Sequence, residues 1–68
     1  MSISITVNGE VKTTETGQSV WSFLEGLKLD PKKVAVERNL EIVSKSLFKE
    51  VTIEEGDQLE IVHFIGGG

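Results

Sequence analysis

The chain has no cysteine and no tyrosine, and its 68 residues include only one proline, one tryptophan and one histidine. Without cysteine there can be no disulfide framework, no thiolate metal site and no cysteine nucleophile. The lone His63 cannot build a multi-histidine metal centre, so no metal is expected. Its place in a strand-like run reads as an ordinary packed or half-exposed side chain. Cationic residues are also few: seven Lys and Arg stand against eleven Asp and Glu, a net charge of -4. Nucleic acid is therefore not an expected partner, because no basic patch offers to displace counterions from phosphates. A protein with a basic docking face is the more natural one.

Long apolar runs are missing too. No window approaches about 18 apolar residues, and Met1-Ser2-Ile3-Ser4-Ile5 lacks the charged and apolar regions of a secretory leader. The expectation is a cytoplasmic protein with no membrane partner. No nucleophilic triad or metal-spaced cluster is present, and Glu54, Glu55 and Asp57 read as solvated turn carboxylates. A chain of this length is one domain that buries only roughly 60% of its unfolded surface. That leaves little room for a core and an enclosed catalytic cleft together.

Apolar periodicity supplies the elements. Ile3, Ile5 and Val7 alternate with Ser2, Ser4 and Thr6, the period-two pattern of a half-buried strand. Asn8-Gly9 tolerates the positive φ angles of a tight hairpin, so Val11 to Thr14 is expected to return antiparallel. Ser19 is placed as a helix N-cap before Val20, Phe23, Leu24 and Leu27, whose spacing forms one apolar stripe. That helix is expected to end between Gly26 and Leu29, ahead of Asp30-Pro31, with Trp21 packing at its flank.

Val34-Ala35-Val36 reads as a strand and Glu41-Ile42-Val43 as its short return. Ser46-Leu47-Phe48 suggests one helical turn that plugs the core with Leu47 or Phe48. Val51-Thr52-Ile53 reads as another short strand, Gly56-Asp57 as part of a polar turn, and Leu59 to Phe64 as the closing strand. This order describes an α+β unit, a mixed sheet with one main helix on one face. A first strand paired with the last would sit at its centre. Order and size resemble the β-grasp, the ubiquitin-like fold, here spanning residues 1–65.

The chain ends on Ile65-Gly66-Gly67-Gly68. Residues 66–68 read as a flexible glycine tail, which contributes little to a folded element and permits close approach to another surface. Residues 64–68, if extended, reach roughly 17 Å at about 3.3–3.6 Å per residue. Counting the last strand by twos puts Leu59 and Ile61 under the helix and Val62 and Phe64 on the outward face.

Asn8-Gly9, Val36-Glu37-Arg38-Asn39, Gly56-Asp57 and the run Glu60-Ile61-Val62-His63-Phe64-Ile65-Gly66-Gly67-Gly68 together resemble the ThiS family of sulfur carriers used in thiamine biosynthesis. The likeness runs the whole length, with three glycines where two would suffice. It implies a protein cosubstrate rather than an enzyme, with no cofactor bound. A ThiF-like adenylyltransferase would consume ATP to activate the carboxylate of Gly68. A cysteine persulfide donor would supply the sulfur, and a ThiG-like thiazole synthase would consume the resulting thiocarboxylate.

On this resemblance Gly68 is the covalent attachment point, and Gly66 and Gly67 give the tail access to the partner's site. Val62, Phe64 and Ile65 form a docking patch. With no thiol in the chain, the terminal carboxyl is the attachment point consistent with sulfur carriage. The molybdopterin-synthase small subunit and ubiquitin-like modifiers share the glycine ending and stand as alternatives.

Overall fold

The computed structural model describes residues 1–63. The chain runs through β1 (Ser2–Val7), β2 (Glu10–Glu15), α1 (Val20–Gly26), a 3₁₀ turn (Pro31–Lys33), β3 (Val34–Arg38), β4 (Glu41–Ile42), a second 3₁₀ turn (Lys45–Leu47) and β5 (Gln58–His63). Asn8 and Gly9 both take positive φ, +50° and +84°, as a two-residue hairpin turn requires. They set β1 against β2 from Ser2↔Glu15 to Val7↔Glu10.

α1 begins where the Ser19 side chain accepts the Ser22 N–H at 3.0 Å. Its first-turn amides need acceptors from outside the helix, and the segment after the second 3₁₀ turn provides them. Val20 N–H donates to the Val51 carbonyl at 2.9 Å and Trp21 N–H to the Phe48 carbonyl at 2.8 Å. Val51-Thr52-Ile53 is consequently not a strand. Its backbone bonds serve the start of the helix, and a single bridge, Ser19↔Thr52, is all the sheet-like pairing it makes. Phe48, fully buried, is the core plug, whereas Leu47 is 44% exposed. Trp21 packs half-buried against the core, with the Lys49 ammonium 4.5 Å from its ring centroid.

The sheet order is β2-β1-β5-β3-β4. β5 runs parallel to β1 and antiparallel to β3, so the sheet is mixed. The centre belongs to β5 and not, as the sequence suggests, to β1, because β1 gives its outer flank to its hairpin partner and its inner flank to β5. α1 covers one face of this sheet. Val20, Phe23 and Leu24 meet Ile5, Val7, Val34, Val36 and Leu59 there, and Phe48 and Ile53 complete the core. The architecture is the α+β class expected, one helix on a mixed sheet of five strands.

Candidate functional site

Two asparagines, both in the left-handed region, hold β5 on its flanks. Asn39, at φ +52°, donates its backbone N–H to the Gln58 carbonyl at 2.8 Å, and its side-chain oxygen accepts the Gln58 N–H at 2.9 Å. Asn8 acts further along. Its side-chain oxygen accepts the Ile61 N–H at 2.8 Å and its amide donates to the Ile61 carbonyl at 3.2 Å. Asparagine suits both places because its short carboxamide can mimic a peptide group where the backbone turns away.

Asp57, just before β5, overturns its reading as a solvated turn carboxylate. It is buried and accepts from Arg38 Nε at 2.7 Å, Asn39 Nδ2 at 3.1 Å and the Glu54 backbone N–H at 2.8 Å. Burial alone would raise its pKa, but these hydrogen bonds and the Arg38 charge outweigh it and hold the carboxyl below the ordinary 3.8. Glu54 and Glu55 do remain exposed. Val-Glu-Arg-Asn and Gly-Asp, two of the segments that carry the family resemblance, thus meet in one polar staple.

The face of the sheet turned away from α1 holds the exposed apolar side chains of Ile42 and Val62. Directly paired residues share a face, so the register Ala35↔Val62, Glu37↔Glu60 and Glu37↔Ile42 groups these five residues. They line a shallow depression of about 150 Å³. Val62 is 60% exposed and Ile42 78%, and Glu37 opposes Glu60. Like charges directly opposite one another destabilise a sheet, and a cationic partner would reverse the sign of that local effect. Among the described residues, no cluster of three or more His, Cys, Asp or Glu is placed to hold a metal ion.

Of the residues singled out from sequence, Val62 lies outward on β5 as the count by twos requires, with Leu59 buried and Ile61 half-buried beneath α1. Phe64, Ile65, Gly66, Gly67 and Gly68 lie outside the described residues. The sequence alone does not mark Ala35, Ile42, Glu37 or Glu60 as docking residues. The alternation Val34-Ala35-Val36 contains the signal for Ala35, but only the register brings it beside Val62. His63 closes β5 opposite Val34, exposed. No described helix is long and apolar enough to cross a membrane.

Comparison with known proteins gives a consistent result. The ThiS family profile matches residues 5–68. The chain is 41% identical over 63 residues to the sulfur carrier protein ThiS of Bacillus subtilis, covering 91% of this chain and 96% of that one. It is 48% identical over 66 residues to a thiazole synthase of Paramagnetospirillum magneticum, covering 97% of this chain but only 20% of that protein. A crystal structure of the thiamine biosynthesis protein ThiS from Geobacter metallireducens superposes with a TM-score of 0.82 at 33% identity, covering 97% of this chain and all of that one.

Proposed function

The chain belongs to the ThiS family, and from that premise we propose that it carries sulfur for the thiazole ring of thiamine, serving its enzymes as a cosubstrate. The reacting atom is the carboxyl carbon of Gly68. A C-terminal carboxylate has a pKa of about 3.3–3.7, so at neutral pH it is a poor electrophile. It first attacks the α-phosphorus of ATP in a ThiF-like adenylyltransferase, and pyrophosphate leaves. The terminal sulfur of a cysteine persulfide then displaces AMP, and a thiol cleaves the resulting S–S bond to leave a thiocarboxylate. A ThiG-like thiazole synthase consumes it.

The observation that carries this reading is the family match through residue 68, which takes in the glycine ending as well as the folded body. The chain spans about a fifth, 20%, of two thiazole synthases it matches, and its match to a third covers 9% of that protein. A related sequence inside the same polypeptide as the sulfur-consuming enzyme supports docking between this chain and such a synthase. The outer face suits that role. Ala35, Ile42 and Val62 offer apolar contact, Glu37 and Glu60 call for a cationic rim, and Phe64 and Ile65 follow soon after in sequence. Gly66 and Gly67 give Gly68 passage into a narrow channel where a Cβ would collide.

Intact-mass measurement of the protein isolated from cells tests the proposal. The expected product has one terminal oxygen replaced by sulfur, and the signal disappears when the adenylyltransferase is deleted. Isopeptide-linked conjugates in place of that product would refute it in favour of a protein modifier.

A further inference from the structure

β1 and β5 pair through their backbones only at Thr6↔Gln58 and Val7↔Leu59, with the Asn8 N–H adding one last bond to the Leu59 carbonyl at 2.9 Å. β1 then turns away into its hairpin, while β5 continues through Ile61, Val62 and His63. On the flank facing β1, Ile61 is held by the Asn8 carboxamide at both its N–H and its carbonyl. Beyond it that flank meets a groove of about 340 Å³, with Asn8, Lys12, Leu27, Ile61 and His63 among its walls. On the other flank β3 reaches His63 only through its own first residue, Val34. Among the described residues, Ile61 is therefore the last point at which β5 is held on its β1 flank, two residues before its pairing with β3 reaches His63.

The geometry points to Asn8 as a positioning residue for the carrier reaction: its carboxamide fixes the β1 flank of the last part of β5, from which the chain runs on to Gly68. This rests on the sulfur-carrier reading given above. Past His63, the end of β5, five residues lead to Gly68, a span of at most roughly 18 Å at about 3.3–3.6 Å per residue. The effective concentration of a tethered group depends on where its tether is anchored. Releasing Ile61 leaves the neighbouring Val62 held from the β3 flank alone, through its pairing with Ala35, so the docking face and the start of the tail loosen together. The positive φ of Asn8 is tolerated by asparagine and glycine but strained for most other residues, so the position combines a turn requirement with a clamp that glycine could not make.

That combination supplies a clean test. Asn8→Gly keeps the turn and removes both bonds to Ile61, Asn8→Asp keeps an acceptor for the Ile61 N–H and loses the donor, and Asn39→Gly keeps its backbone bond to the Gln58 carbonyl but removes the side-chain bonds to the Gln58 N–H and to Asp57 at the start of β5. Each hydrogen bond shifts an open–closed equilibrium by a factor of roughly 2 to 12. Asn8→Gly should therefore speed amide hydrogen exchange at Ile61 by about fivefold or more while leaving that of Val36 unchanged. Adenylation by the cognate adenylyltransferase, followed as pyrophosphate exchange at a temperature where every variant is folded, should lose roughly threefold or more in kcat/KM. Asn8→Asp should fall between Asn8→Gly and the wild type, and Asn39→Gly should lower the melting temperature without that kinetic loss.

An equal kinetic loss in Asn39→Gly would overturn the positioning role, since general loosening would then explain both variants. Unchanged exchange at Ile61 in Asn8→Gly would overturn it as well. Failure of the wild-type protein to be adenylated at all would instead overturn the carrier reading, whereas the exchange measurement needs no partner and judges the clamp separately.

Discussion

Replacing Asp57 by alanine removes three acceptor interactions at once. The Glu54 N–H, Arg38 Nε and Asn39 Nδ2 all lose the oxygen they donate to. A hydrogen bond to a charged group contributes about 1.5–3 kcal/mol. The Arg38 side chain is 29% exposed, so water recovers part of its loss, and a net cost of about 2–4 kcal/mol is the reasonable sum. A domain of this size has on the order of 3–10 kcal/mol in total. At about 4–8 °C per kcal/mol, thermal unfolding followed by circular dichroism at pH 7 should show a fall of about 10–30 °C.

The pH dependence gives the sign. The folded pKa of Asp57 lies below the ordinary 3.8, so its contribution is fully present above that value. It is lost as the pH falls through the lower folded value. The gap between wild type and variant should therefore be constant from pH 7 to about pH 5 and close in stronger acid. A melting temperature within about 3 °C of wild type at pH 7, or a gap that persists unchanged at pH 2, would refute the staple.

Phe48→Ala should cost about 3–5 kcal/mol and leave the domain largely unfolded in a urea titration, while Leu47→Ala should cost under about 1 kcal/mol. Leu40 combines a φ of +73° with 86% exposure, so Leu40→Asn should raise the melting temperature by a few degrees, relieving about 1 kcal/mol of backbone strain. Glu60→Lys should act in opposite directions on stability and binding. Relief of its opposition to Glu37 should stabilise the isolated domain by about 0.2–1 kcal/mol, while affinity for the adenylyltransferase, measured calorimetrically at low salt, should weaken by about fivefold or more. Gly68→Ala should leave the melting temperature unchanged and abolish most adenylation in a pyrophosphate-exchange assay.

Features set by neighbours in the chain could be read directly from the sequence. The alternation of Ile3, Ile5 and Val7, the Asn8-Gly9 turn and the Ser19 cap each depend on residues within a few positions, and each is where the pattern places it. The local setting of Asp57, Glu54, Glu55 and Gly56, looks like an exposed turn, and two of its three partners, Arg38 and Asn39, lie 19 and 18 residues away. Val51-Thr52-Ile53 has strand-like composition, but the Val51 carbonyl accepts from the helix start and the Ile53 N–H donates to Gln18 just before it. Strand order was legible as far as the pairing of first and last strands. Which of the two lies in the middle depends on β3 joining β5 on its other flank. The outer face needed register as well: nothing in the sequence alone sets Ala35 beside Val62 or Glu37 against Glu60.

The central position of β5 has a mechanical consequence. Ladder hydrogen bonds lie across a strand rather than along it. Tension applied at the C-terminal end of β5 and directed along the strand loads its bonds to β1 and β3 together, in shear. A strand at the rim of the sheet, pulled outward, would give up its bonds one after another. A pull applied at His63 along the strand therefore works against the bonds on both flanks of β5 at once.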